Sequence, residues 1–222
     1  MCGRFTLIYN SGVGLRFRAH RAEAGETRPR YNIAPTQTVL TITNEEGNRE
    51  VEEMRWELIP SWAKAGKLPR NTINARDDRI ETSGLWRGPF RRSRCLIPAD
   101  GFYEWTGPRS ARRPMYARLR EGGLFAFAGL YDTWSSPEGQ LLRSCAIVTT
   151  VPNELMASIH DRMPVILAEE AEDAWLDLAN ADSEVLRSLL RPFPAAAMEA
   201  LPVSTSVNSP GNDSAECVRP LV

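Results

Sequence analysis

With 222 residues, 42% hydrophobic side chains and a formal net charge of −1, the chain can bury one substantial core but hardly two independent ones. No run of about 18 apolar residues occurs and the N-terminus lacks the apolar stretch of a secretion signal, so a membrane span and export are not expected. Four scattered cysteines (Cys2, Cys95, Cys145, Cys217) without a CxxC pair argue against structural zinc and a disulfide framework, so no metal and no cofactor are expected.

Cys2 stands directly behind the initiator methionine. Removal of Met1, which a small second residue permits, leaves an α-amine and a thiol on neighbouring carbons, with ordinary pKa values of about 7.7–8.0 and 8.5. Such an amine condenses with an aldehyde, and the thiol then closes on the imine to a thiazolidine. Alternatively the thiol attacks an acyl carbon with the amine as base. The plain alternative is a small residue at a disordered terminus. A short helix is predicted over Arg16–Arg21, with His20 a surface residue in an arginine-rich run.

Strands are predicted over Thr38–Thr43 and Val51–Leu58 from their β-branched and alternating residues. The segment Trp56–Trp62 joins two indoles through a proline turn. Trp56 reads as core, and Trp62, beside Lys64, reads as an exposed platform on which an unpaired base can stack. From Ser61 to Arg120 there are 14 Lys+Arg against 5 Asp+Glu, nearly all of the bases arginine. This is either a localised polyanion site or ordinary solvated surface. Asn71–Arg76 is expected on a loop. If that loop is extended, Asn74 and Arg76 face one way, one orienting a substrate and the other holding a phosphate; a polar turn capping the next helix is the alternative.

Ser93–Ile97 and Arg143–Thr149 are apolar strand-like runs that make Cys95 and Cys145 core thiols. Between them Pro98–Trp105 sets Glu104 among aromatics, where desolvation raises a carboxyl pKa toward the range useful for proton transfer. An outward-facing Glu104 is equally compatible with a strand there. Further strands are predicted over Met115–Arg120, Leu124–Trp134 and Pro164–Leu167, punctuated by Gly/Pro/Ser clusters at 106–110 and 135–139. Pro152–Ile159 is a candidate helix with a Ser or Thr cap nearby. His160 follows it on a loop, with Arg162 beside it, as a catalytic group or as a structural histidine. The acidic 168–178 segment and Ser183–Leu190 are amphipathic helices. The polar tail 202–222 carries Val203, Val207 and Val218, which can dock it. The balance of elements predicts an α+β fold around an antiparallel, barrel-like sheet.

Six collinear strings share a common pattern: Met1–Phe5, Tyr31–Pro35, Trp56–Trp62, Asn74–Arg76, Arg94–Pro98 running into Gly101–Trp105, and Ile159–Pro164. Together they resemble the SRAP family, the SOS response-associated peptidases, whose members process abasic sites. The resemblance implies one compact α+β domain over 1–222 with a barrel-like centre, a tail docked or partly flexible, and a groove for single-stranded DNA. It implies that mature Cys2 links covalently to the ring-opened aldehyde of an abasic site, with Asn74 orienting, Glu104 as acid and base and His160 assisting sugar opening. Arg4, Arg76 and Arg162 match phosphate-contacting positions, and Asn32 and Trp62 match DNA-binding ones. One departure is Glu57, where relatives usually carry glycine.

An abasic-site processing enzyme is therefore expected, a monomer acting on single-stranded DNA in the cytoplasm, or in the nucleus of a eukaryote. Abasic-site lyase and autoproteolytic activities are possible side reactions. Two rivals stay open: an N-terminal cysteine hydrolase, and a non-covalent single-strand-binding module.

Overall fold

The computed structural model describes residues 2–21, 28–45, 47–65, 71–108, 110–180 and 182–221. Parts of the basic 61–120 segment (66–70 and 109) and residues 1 and 222 lie outside the described residues. In chain order the elements are β1 (Phe5–Leu7), α1 (Val13–Arg16), β2 (His20–Arg21), β3 (Arg30–Ile33), β4 (Thr38–Glu45), β5 (Asn48–Trp56), β6 (Asn74–Arg76), α2 (Arg87–Arg92), β7 (Arg94–Ala99) and β8 (Gly101–Thr106). There follow β9 (Arg113–Leu119), β10 (Phe125–Ser135), β11 (Leu141–Thr150), α3 (Glu154–Ala157), β12 (Met163–Pro164), β13 (Ile166–Leu167), α4 (Glu169–Leu176), α5 (Ser183–Ser188) and β14 (Met198–Pro202). The fold is α+β, with few and short helices.

Five strands close on themselves. β4 pairs with β5, β7 and β10 continue the antiparallel order, and β11 follows β10. A short parallel contact, Arg55 with Ser144 and Trp56 with Cys145, seals β5 to β11. Closure removes the free edges that an open sheet exposes. Its interior holds the alternating apolar positions of one face of these strands, among them Met54, Trp56, Cys95, Ile97, Phe127 and Ile147, all essentially inaccessible.

A second, fully antiparallel sheet runs in the order β14-β9-β8-β1-β3. β1 is its hinge to the barrel. Phe5 packs edge-on against Trp56 at 5.0 Å and against Phe127 at 5.8 Å between ring centroids, so the head of the chain is nailed to the closed core. Asp100 adds a polar latch by accepting from Thr6 Oγ1 at 2.5 Å, from Tyr9 N at 3.0 Å and from Ile8 N. Gly101 is required beside it, since a Cβ there would lie 2.3 Å from the Tyr116 ring, whose hydroxyl sits 3.0 Å from Thr6 Oγ1.

Three sequence expectations change. Asn74–Arg76 is a strand rather than a loop, because it pairs in parallel with β11. The helix near the N-terminus is Val13–Arg16 and ends before His20, which belongs to β2. α3 is capped by Asn153, whose side chain accepts from Met156 N, not by Ser or Thr. The tail runs through 3₁₀ turns at Thr205–Asn208 and Ala215–Val218 and buries Val203, Val207 and Cys217 against Tyr103 and Tyr116.

Glu57, directly after β5, has φ of 154°, a region glycine enters without strain. Its one side-chain return is an ion pair with Arg55 at 2.8 Å, worth little at a partly exposed position. Glu57→Gly is expected to stabilise the fold by about 1 kcal/mol, strain relief outweighing the lost pair and the added unfolded-state entropy. Urea denaturation measures it, and a lower midpoint for the variant would refute the strain assignment.

Candidate active site

Cys2 is completely buried. Its carbonyl accepts from Asn74 Nδ2 at 2.8 Å, and its sulfur lies 3.8 Å from the Arg4 carbonyl, a weak contact. Asn74 is placed there by β6, whose residues pair with β11 in the register Ile147 with Asn74 and Thr149 with Arg76. An extended strand turns Asn74 and Arg76 to one face and sends Ala75 into the core. The oxygen of the same Asn74 amide, Oδ1, is buried with no hydrogen-bond partner among the described residues. Buried acceptors are rarely left so, and this one stands ready for a donor brought by a reactant.

Glu104 comes from β8. The antiparallel register of Phe5 with Phe102 and Thr6 with Gly101, continued outward, sets Glu104 across from Gly3, next to Cys2. Its side chain is buried, and that burial raises its pKa above the ordinary carboxyl range; the charge of His160 pulls in the opposite direction. Cys2 is affected in turn. Burial first, and the Glu104 charge second, push the thiol well above its ordinary value, so it rests protonated. Glu104 is thus in electrostatic range of both Cys2 and His160.

His160 sits where α3 ends, its backbone N donating to Met156 O at 2.8 Å. Beyond it β12 rejoins β11, pairing Met163 with Thr150 and Pro164 with Thr149, so the histidine loop and β6 meet at the same end of β11. His160 Nδ1 lies 3.1 Å from the Arg162 backbone N and 2.8 Å from Asp161 Oδ1. One proton state cannot serve both. The amide hydrogen is fixed, so Nδ1 can accept from it, whereas the Asp161 carboxylate, 86% exposed, would need a proton on that same nitrogen. Cys2, Asn74, Glu104 and His160 therefore come together from four separate stretches of chain.

The remaining candidates divide. Arg76 is 43% exposed and held by Asp78 through two contacts of 3.0 and 2.7 Å, an arrangement a phosphate can enter. Arg162 is buried, donating to Asp77 Oδ1 at 2.6 Å, to Thr149 Oγ1 at 3.3 Å and to the Thr149 carbonyl. Arg4 donates to Asn32 Oδ1 at 2.8 Å, Val207 O at 2.6 Å and Asn208 O at 3.3 Å. The Asn32 amide is spent on Val207, Ser209 and Asn212 carbonyls. Arg4, Arg162 and Asn32, the first two expected at phosphates and the third at DNA, also serve as struts within the chain. Trp62 is the exposed indole expected, at 65% of its surface, and Trp56 is core.

Sequence reasoning missed Asp77, which joins Arg162 to Thr150 Oγ1 at 2.6 Å and so braces the His160 loop. It also missed Asp213, which accepts from Arg30 Nε at 2.9 Å, Tyr31 N at 2.5 Å and Asn32 N at 3.0 Å. Neither has a local signal, since each partner lies far along the chain. Among the described residues no group of three or more His, Cys, Asp or Glu is arranged to hold a metal, and no helix is long and apolar enough to cross a membrane.

Residues 1–210 match the family model described as SOS response associated peptidase (SRAP). The chain is 47% identical over 222 residues to the abasic site processing protein YoqW of Bacillus subtilis, covering 98% of this chain and 99% of that one. It is 31% identical to the abasic site processing protein HMCES of Gallus gallus, covering 98% of this chain and 74% of the relative. Among solved structures, a Bacteroides thetaiotaomicron protein superposes with a TM-score of 0.90 at 26% identity, across the full length of both chains.

Proposed function

The chain belongs to the SRAP family, and on that premise we propose that it captures abasic sites in single-stranded DNA as a covalent thiazolidine on mature Cys2. The observation that carries this reading is the meeting of Cys2, Asn74, Glu104 and His160 with the thiol held protonated. A buried, protonated thiol is a weak first nucleophile, so the α-amine exposed by loss of Met1 leads and the thiol follows.

An abasic sugar rests mainly as a cyclic hemiacetal. Ring opening needs a base for the anomeric hydroxyl proton and an acid for the ring oxygen, roles suited to His160 and Glu104. The Cys2 amine then adds to the aldehyde, and loss of water gives an imine. Glu104 takes the thiol proton as sulfur adds to the imine carbon, and that proton ends on the ring nitrogen. The balance is aldehyde plus aminothiol to thiazolidine plus one water. Asn74 fixes the Cys2 carbonyl throughout, which keeps amine and thiol aimed at one carbon. Where sulfur fails to close, the imine favours β-elimination of the 3′ phosphate, a lyase outcome. Arg76 is assigned to the flanking phosphate and Trp62 to a base farther along the strand, and a sugar turned out for attack is reached most readily in a single strand. The names of the curated relatives, abasic site processing proteins, support the same substrate.

A denaturing gel tests the proposal. Protein mixed with a strand bearing one natural abasic site is expected to give a shifted, denaturant-resistant band, and a tetrahydrofuran strand without an aldehyde none. Absence of the band, with a free N-terminal cysteine verified by mass, would overturn covalent capture.

A further inference from the structure

Away from Cys2, a polar cavity of about 390 Å³ opens between the turn carrying Trp62 and helix α2, lined also by Arg87, Arg91, Arg92, Ser93 and Asp132. Its aromatic wall is rigid. The Ser61 backbone N donates to Asp132 Oδ2 at 2.8 Å on one side of Trp62, and Trp134 Nε1 donates to Ala63 O at 2.7 Å on the other. The backbone on both sides of Trp62 is thereby pinned to β10, and the indole keeps 65% of its surface in water at the cavity wall. The opposite wall is cationic. Arg87 and Arg91 share one helix face at i,i+4 spacing, and Arg92 reaches back, its Nη2 3.7 Å from where a Cβ on Gly88 would stand.

These three guanidinium groups are exposed and, among the described residues, have no ion-pair or hydrogen-bond partner. Arg16, Arg49 and Arg55 by contrast are each paired with carboxylates. Asp132, the acid in the cavity, is occupied by the backbone N–H groups of Ser61 and Thr133. Unpaired arginines facing a fixed aromatic plane form a receptor for a nucleotide, the base on the ring and phosphates on the cations. The cavity is also connected to the capture site. Leu58 N donates to Thr72 O at 3.2 Å, two residues before Asn74, so the backbone path from Asn74 to Trp62 spans no more than about 25 Å.

We propose that this cavity is a second nucleotide site, engaging single-stranded DNA several nucleotides away from the one captured at Cys2. The assignment of the captured end rests on the abasic-site reading; the cavity's own affinity for a strand does not. The test uses undamaged fluorescent strands of about 20 and about five nucleotides, bracketing the site sizes usual for single-strand binders, with binding followed by anisotropy over a salt series. In an Arg87→Ser, Arg91→Ser, Arg92→Ser protein the longer strand is expected to bind at least tenfold more weakly, and the slope of log affinity against log salt to fall by about 2. The wild-type preference for the longer strand disappears. Trp62→Ala is expected to weaken the longer strand roughly tenfold with an unchanged salt slope. Wild-type affinity and slope in the triple variant would overturn the proposal, as would an equal loss on both lengths. Failure of covalent capture on an abasic strand, with the length effect intact, would instead remove the Cys2 reading and leave this site standing.

Discussion

Mature protein carrying Cys2→Ala is expected to give no heat-stable covalent adduct with an abasic strand in the absence of reductant, a fall of at least 10³-fold against the wild type, while still binding DNA. The loss is chemical, because replacing one small buried side chain by another leaves the Phe5 anchor on Trp56 and Phe127 in place. Cys2→Ser separates the two halves of the reaction. Its amine persists, so borohydride is expected to trap an imine; its hydroxyl lacks the nucleophilicity of sulfur, so no heat-stable adduct forms without reductant. Recovery of such an adduct from the serine protein would eliminate the thiazolidine. An N-terminal hydrolase would behave differently, losing an acyl intermediate and never depending on an aldehyde in the substrate.

The second large effect belongs to Glu104. Glu104→Gln is expected to slow crosslinking by about 10²–10⁴-fold at little cost in DNA affinity, since the glutamine keeps the shape and loses only proton transfer. A parallel collapse of affinity would make Glu104 a structural residue. Stability moves the other way. Burial raises the Glu104 pKa in the folded protein, so its stabilising contribution is complete below the unfolded-state value and is lost as pH rises through the folded one. Glutamine cannot ionise, and the variant's melting temperature is therefore expected to gain on the wild type as pH increases, by roughly 2–4 °C per kcal/mol. Melting curves that stay parallel from acid to alkaline pH would contradict a destabilising charge at this position.

Much of the barrel was legible in the sequence because β4, β5, β7, β10 and β11 carry β-branched or aromatic runs bounded by Gly, Pro and Ser. β1, β6 and β8 were not, since three residues or an aromatic cluster with a glutamate have no usable period, and only pairing with distant partners makes them strands. Helix α2 was hidden by Gly88-Pro89, yet a proline in a first helical turn forgoes only an N–H that has no helical partner anyway. In the site, the identities of Cys2, Asn74, Glu104 and His160 were readable from local chemistry and resemblance. The engagement of Arg4, Asn32 and Arg162 was not, because an arginine's partners are set by chain that returns from as far as 204 residues away.

That last separation has a consequence for how the protein comes into being. Arg4 leaves the ribosome 203 residues ahead of Val207, whose carbonyl receives it together with that of Asn208. At about 5–20 residues per second, the nucleophile's neighbour waits about 10–40 s for its anchors. The barrel strands and the Phe5 anchor can assemble in that interval, but the Arg4 struts form only once residues 207 and 208 have emerged. A chain stopped short of residue 207 carries Cys2 without the restraint that Arg4 takes from the tail.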